Sequence, residues 1–136
     1  MLMSAIEYRE SLRGLKPVVY VDGRAVASVA DEPALLPGVN AVGLSYDFAL
    51  REDTSVLMRA AGGSGRSDYN RMLHVPRSCD ELLQKLEAVR LICRYTGCAQ
   101  RYLAGDAMAG ILQAAPALDA EHGTEYAARA HAYYEH

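Results

Sequence analysis

The feature that most limits what this chain can fold into is the run from Ser78 to Arg94. Leu82, Leu83, Leu86, Val89, Ile92 and Cys93 recur at helical spacing, and Glu87, Arg90 and Arg94 fill positions between them. A period near 3.6 residues puts such apolar groups on one stripe, which must be buried against another element. Ser78 and Glu81 stand at the spacing of a capping box, in which each side chain satisfies a backbone donor of the other, and Gly97 follows as a stop. The pattern predicts a long helix over 79–95, and a stripe of that length calls for further helices to cover it.

The rest of the chain supplies them. Ser4 and Glu7 repeat the capping box before a helix near 5–13, with Gly14 at its end. Pro33 and Pro37 suit first helical positions, and Val39, Val42, Leu44, Tyr46, Phe48 and Ala49 predict a helix over about 38–50, although Gly43 weakens it. The segment from Ala99 to Ala115 is Ala-rich and helix-prone, with a break expected at Pro116, and a last helix starts near Thr124. One hairpin is expected: β-branched residues of 17–21 and 24–29 flank Asp22-Gly23, a dipeptide suited to a tight turn with positive φ. The glycines of 61–67 read as a mobile loop; without a Gly-Lys-Ser/Thr ending they do not make a phosphate cradle. The expected fold class is therefore mainly α with one small β-hairpin, in a single domain over 1–136.

Composition narrows the function classes. The 136 residues are 51% hydrophobic and 23% charged, ordinary for one core. Lys and Arg number 14 against 17 Asp and Glu, with no long run of one sign, so a nucleic-acid partner is not expected. Glu7, Arg9 and Glu10 interrupt the first residues, and eighteen uncharged apolar residues never occur in succession. The expectation is a cytoplasmic protein with no membrane partner. Cys79, Cys93 and Cys98 are an odd set at spacings that suit neither a disulfide scaffold nor a compact metal clip, so they read as reduced structural thiols.

Around Gly97, Cys93, Cys98, Arg101, Tyr102 and Asp106 gather a thiol, a fixed cation, a phenol and a carboxylate. Arg101 follows small and apolar residues, where a guanidinium needs an anionic partner; a bound substrate and an ion pair with Asp106 both satisfy that need. His74, between Leu73 and Val75, reads as a satisfied structural histidine, and His122, His131 and His136 as solvated ones.

Several segments taken in order are similar to the start of a known family: Glu7-Tyr8-Arg9-Glu10-Ser11-Leu12-Arg13, Val19-Tyr20-Val21-Asp22-Gly23, Ser45-Tyr46-Asp47, the Ser78–Arg90 helix, Cys98-Ala99-Gln100-Arg101 and His122-Gly123-Thr124-Glu125-Tyr126. Over nearly its whole length the chain resembles the flavin-dependent 4-hydroxyphenylacetate 3-hydroxylase and 4-hydroxybutyryl-CoA dehydratase family. The resemblance implies an acyl-CoA-dehydrogenase-like enzyme, of which 1–136 is the N-terminal helical domain, with the middle β domain and C-terminal helical bundle absent. It implies FAD, used in reduced form in the complete enzyme, the remaining domains in cis or trans as partners, a flavin reductase, and a homo-oligomer. In the dehydratase branch a Cys in the turn and another four residues later contribute to an iron–sulfur cluster; Cys98 matches the first, but Tyr102 stands at the second, so a cluster is not expected. In the hydroxylase branch an Arg and a Tyr four residues on bind the phenolic substrate; Arg101 matches the Arg, while Gly105 stands in place of the Tyr. The resemblance thus assigns Arg101 as catalytic and substrate-binding; Tyr102, one helical turn from Cys98, is read as substrate-binding because it can supply a phenol from a neighbouring position. It implies part of a flavin-dependent monooxygenase, an oxidoreductase, with a dehydratase or isomerase lyase acting on a CoA thioester as the alternative, and a non-catalytic interaction module as a third.

Overall fold

The computed structural model describes residues 2–62, 67–97 and 100–135; the side chains of 100–102 lie outside the description. Helix α1 (Ala5–Gly14) begins at the Ser4 capping box, formed in both directions, and α2 (Leu36–Leu50) carries Pro37 in its first turn. Gly43 does not weaken α2; it makes room for α1. A Cβ there would lie 3.1 Å from the Ala5 Cβ. The Ala5 N–H donates to Asp47 Oδ1 at 2.7 Å, and the Tyr8 and Tyr46 rings lie 5.1 Å apart. Between these helices β1 (Tyr20–Val21) and β2 (Arg24–Ala25) pair antiparallel, turned by Asp22 at φ 50° and Gly23 at φ 74°, as Asp-Gly foretold.

A short helix α3 (Ser55–Met58) and a second antiparallel pair, β3 (Arg59–Ala60) with β4 (Tyr69–Asn70), were not expected. Two-residue strands carry no alternation to read. The pair brackets the glycine-rich segment, whose residues 63–66 lie outside the described residues. Side chains from this region also close the C-terminal end of α2, whose last carbonyls have no partner within the helix. Thr54 Oγ1 donates to the Phe48 carbonyl at 2.7 Å, and Arg59 Nε to the Ala49 carbonyl at 2.6 Å.

Helix α4 (Cys79–Thr96) starts at Ser78, whose hydroxyl accepts from the Glu81 N–H, and ends at Gly97 in the left-handed region. The reciprocal half of the expected box is absent: the Glu81 carboxylate instead accepts from the Arg77 N–H at 2.6 Å. The buried stripe is also rotated from the expected one. Lys85, Ala88 and Ile92 point inward, whereas Leu82 and Leu83 are exposed. Ala88 and Ile92 join Phe48, Ala49, Met58 and Met72 in the core, with Met72 contributed by the 3-10 turn Arg71–Leu73.

Helix α5 (Gln100–His122) runs through Pro116 rather than breaking there. An internal proline removes one backbone hydrogen bond but need not end a helix whose neighbours favour it and whose side is packed. Here the packing is α6 (Tyr126–Glu135), which lies against α5. Among the described residues no helix is long and apolar enough to cross a membrane.

Candidate functional site

The expected site residues centre on the first turn of α5, and the structure describes what packs against the turn that follows, at Gly105. Asn70 fixes the segment before the 3-10 turn. Its amide donates to the Ser45 carbonyl at 2.8 Å, and its oxygen accepts from the Met72 N–H at 3.0 Å. Arg71 Nε donates to the Leu57 carbonyl at 2.6 Å, and burial draws its pKa below the usual arginine range.

Three successive carbonyls of the turn then meet three helices. Lys85 Nζ, on α4, donates to the His74 carbonyl at 2.6 Å. Tyr134 Oη, on α6, donates to the Leu73 carbonyl at 3.0 Å. The Met72 carbonyl lies so close to α5 that a Cβ on Gly105 would sit 2.5 Å from its oxygen and 3.2 Å from Lys85 Nζ. Lys85 is 1% exposed; desolvation lowers its pKa, and the field of Asp106 acts in the opposite direction. Lys85 Nζ thus lies against Gly105, one turn further along α5 than Arg101 and Tyr102.

A hydrogen-bonded chain flanks this node. The Tyr69 hydroxyl lies 2.7 Å from His74 Nδ1, and His74 Nε2 lies 3.1 Å from Glu81. Burial first, and the neighbouring Tyr134 second, push Tyr69 up to about 12. Glu81 is held below its ordinary value by the Arg77 N–H and then by His74. Both ring nitrogens of His74 therefore have partners, in keeping with a structural histidine.

Cys98 lies outside the described residues, as does His136, and so does any pairing of the Arg101 side chain with Asp106. Cys93 is half-buried on α4, and Cys79 is exposed at that helix's start. At 1.5 Å per residue these two thiols stand roughly 21 Å apart along the axis. Among the described residues no three of His, Cys, Asp and Glu converge as a metal site. His122 and His131 are exposed, as expected. Sequence reasoning missed Lys85, Tyr69 and Tyr134. The signal for Lys85 was the spacing it shares with Ala88 and Ile92, overlooked because lysine is almost never fully buried without a partner.

A concavity lies between α1 and α2, about 420 Å³ and lined in part by Ile6, Arg9, Arg13, Asn40 and Asp47. Its polar groups are engaged with one another or with the chain: Arg9 with Asn40, Arg13 with Asp31 and Glu10, Asp47 with the Ala5 N–H.

Comparison with known proteins gives a consistent result. The family described as 4-hydroxyphenylacetate 3-hydroxylase N terminal matches residues 5–136. The 4-hydroxybutyryl-CoA dehydratase/vinylacetyl-CoA-Delta-isomerase of Clostridium aminobutyricum is 32% identical over 127 residues, 93% of this chain and 26% of that protein. The structure of an oxygen-tolerant archaeal 4-hydroxybutyryl-CoA dehydratase from N. maritimus superposes with a TM-score of 0.87 at 34% identity, over 98% of this chain and 27% of that one. The oxygenase component of 4-hydroxyphenylacetate 3-monooxygenase shares the fold, with a TM-score of 0.76 at 17% identity over 98% of this chain and 27% of that one. The chain spans about a quarter of the length of these relatives.

Proposed function

Because the chain belongs to the family of 4-hydroxyphenylacetate 3-hydroxylase N-terminal domains, we propose that it is the N-terminal domain of a larger flavin-dependent enzyme and supplies one wall of that enzyme's substrate pocket. The first turn of α5 forms this wall, with Arg101 holding an anionic or phenolic substrate group and Tyr102 beside it. The buried Lys85 node serves to keep the turn in place. A flavin, FAD in our reading, would supply the redox chemistry. Its remaining contacts would come from the β domain and helical bundle, in cis or as a separate subunit.

Within the family we favour the lyase or isomerase reading, on a CoA thioester, over the monooxygenase. The observation that carries this is the 34% identity and 0.87 TM-score with the archaeal dehydratase, against 17% with the oxygenase component. Gly105 supports it. A side chain at the place of the hydroxylase branch's tyrosine would collide with the Met72 carbonyl. The dehydratase-type cluster does not fit the thiols present, because Tyr102 replaces the second cysteine and a phenol is a poor ligand for iron–sulfur. No step is assigned to it.

The test is a pair of assays on the complete gene product: elimination or double-bond migration on short hydroxyacyl- and enoyl-CoA thioesters, and reduced-flavin-dependent oxygen consumption with phenolic acids. Turnover in the first supports the lyase reading. Turnover only in the second returns the monooxygenase.

A further inference from the structure

The Tyr69 hydroxyl has one proton and two acceptors within its reach. Its oxygen lies 2.7 Å from His74 Nδ1, and Tyr134 acts on it from α6, by its field and as a hydrogen-bond acceptor. Tyr134 itself donates to the Leu73 carbonyl at 3.0 Å. On the far side of the imidazole, His74 Nε2 lies 3.1 Å from Glu81, whose carboxylate is held in its charged form by the Arg77 N–H and then by His74. Glu81, His74, Tyr69, Tyr134 and the Leu73 carbonyl thus form one row of polar groups running from α4 to α6.

Counting protons along this row gives two arrangements. A carboxylate only accepts, so Nε2 carries a hydrogen whether the ring is neutral or charged. In the neutral ring Nδ1 is then a bare acceptor and takes the Tyr69 proton. The Tyr134 proton is committed to Leu73, so the two phenol oxygens meet with no hydrogen between them. In the charged ring Nδ1 is a donor instead. Tyr69 must then accept from it, and the hydroxyl proton turns to the Tyr134 oxygen, closing an unbroken row from Glu81 to the Leu73 carbonyl. Burial, and then Tyr134, push Tyr69 up to about 12, so the phenol keeps its proton through the range of about pH 5 to 8 in which histidines ordinarily change charge.

We propose that this row is a proton-operated clasp, in which a charge on His74 turns the Tyr69 hydroxyl from the imidazole to Tyr134 and tightens the hold of the 3-10 turn on α6. The inference does not depend on the enzyme reading. The other charged groups around the row are Arg71 on the turn, Arg77 before α4, and Lys85 of α4, which meets the His74 carbonyl rather than its ring, with Asp106 of α5 acting on Lys85. Asp119, which accepts from the Tyr126 N–H at the start of α6, is held below its ordinary 3.8 and stays charged above pH 5. Because α6 packs against α5, the clasp bears on the helix that carries Arg101.

The experiment is amide hydrogen exchange of α6 in the 136-residue chain between about pH 5 and 8, corrected for the intrinsic pH dependence of exchange. The charge of His74 is followed in the same samples by the NMR signals of its ring. In wild type the protection of 126–135 should rise at least about twofold as His74 gains its proton, the small end of what one intramolecular hydrogen bond contributes. Tyr69→Phe keeps the bond from Tyr134 to Leu73 but has no proton to turn, so its α6 should show no such rise. This variant retains the exposed His122 and His131 and so controls for their titration. Tyr134→Phe, which lacks the second acceptor, should lose the rise as well and carries the test should Tyr69→Phe fail to fold. Nitrogen NMR of the neutral ring should find hydrogen on Nε2 and none on Nδ1. Protection that stays level or falls as wild-type His74 is protonated overturns the proposal, as does a rise of equal size in either variant, or a neutral ring with its hydrogen on Nδ1.

Discussion

Two glycines on α5 show how one residue type serves opposite ends. Gly105 faces the Met72 carbonyl at a distance no Cβ tolerates, whereas nothing lies within 4 Å of a Cβ built on Gly110. Gly105→Ala should therefore destabilise the chain by about 1–3 kcal/mol, the cost of overpacking against backbone. Gly110→Ala should stabilise it by roughly 0.5–1 kcal/mol, because a mid-helix glycine gives up more entropy on folding than alanine does. Urea unfolding of both variants gives the signs; two changes of the same sign would refute the contact. Arg101 is the corresponding test of chemistry. In the complete enzyme Arg101→Lys should fold normally and lose about 1.5–3 kcal/mol of binding or transition-state stabilisation, at least tenfold in activity, if the guanidinium holds substrate. A lowered melting temperature with normal turnover, matched by Asp106→Asn, would make the residue structural instead.

At the scale of elements, the helices were legible wherever a cap or a turn residue marks a boundary locally. Ser4 with Glu7, Ser78, Asp22-Gly23 and Gly97 all act where the sequence places them. What escaped depends on tertiary partners: the inward face of α4, the two-residue strands and the continuity of α5 through Pro116. The start of α6 near Thr124 was legible, but its cap belongs to this second group. Its cap is Asp119, from the preceding helix, which accepts from Thr124 Oγ1 and the Tyr126 N–H, both at 2.7 Å, and from the Ala127 N–H at 2.8 Å. These bonds, Thr124 foremost, hold its pKa below the ordinary 3.8. A carboxylate with a depressed folded pKa stabilises the fold above its unfolded value and loses that contribution as pH falls through the folded value. Asp119→Ala should lower the melting temperature at pH 7 by about 3–6 °C, and the difference from wild type should shrink below pH 4. A difference independent of pH would show that the charge contributes nothing.

Over the whole molecule, the chain forms a core of its own around Phe48, Met58, Met72 and Ile92. The family was readable because many short segments keep their order, whereas the chemistry was not, since Tyr102 and Gly105 depart from the two branches in different ways. The departure at Gly105 becomes interpretable only beside the Met72 carbonyl and Lys85, which no sequence spacing brings together. A domain that holds one wall of a pocket should fold without its ligand and bind that ligand poorly alone. The direct measurement is a titration of oxidised and reduced FAD and FMN into the 136-residue chain and into the complete gene product, followed by calorimetry. We expect a folded chain with no saturable binding in the micromolar range, and stoichiometric flavin in the complete product. Stoichiometric micromolar binding by the 136-residue chain itself would contradict it.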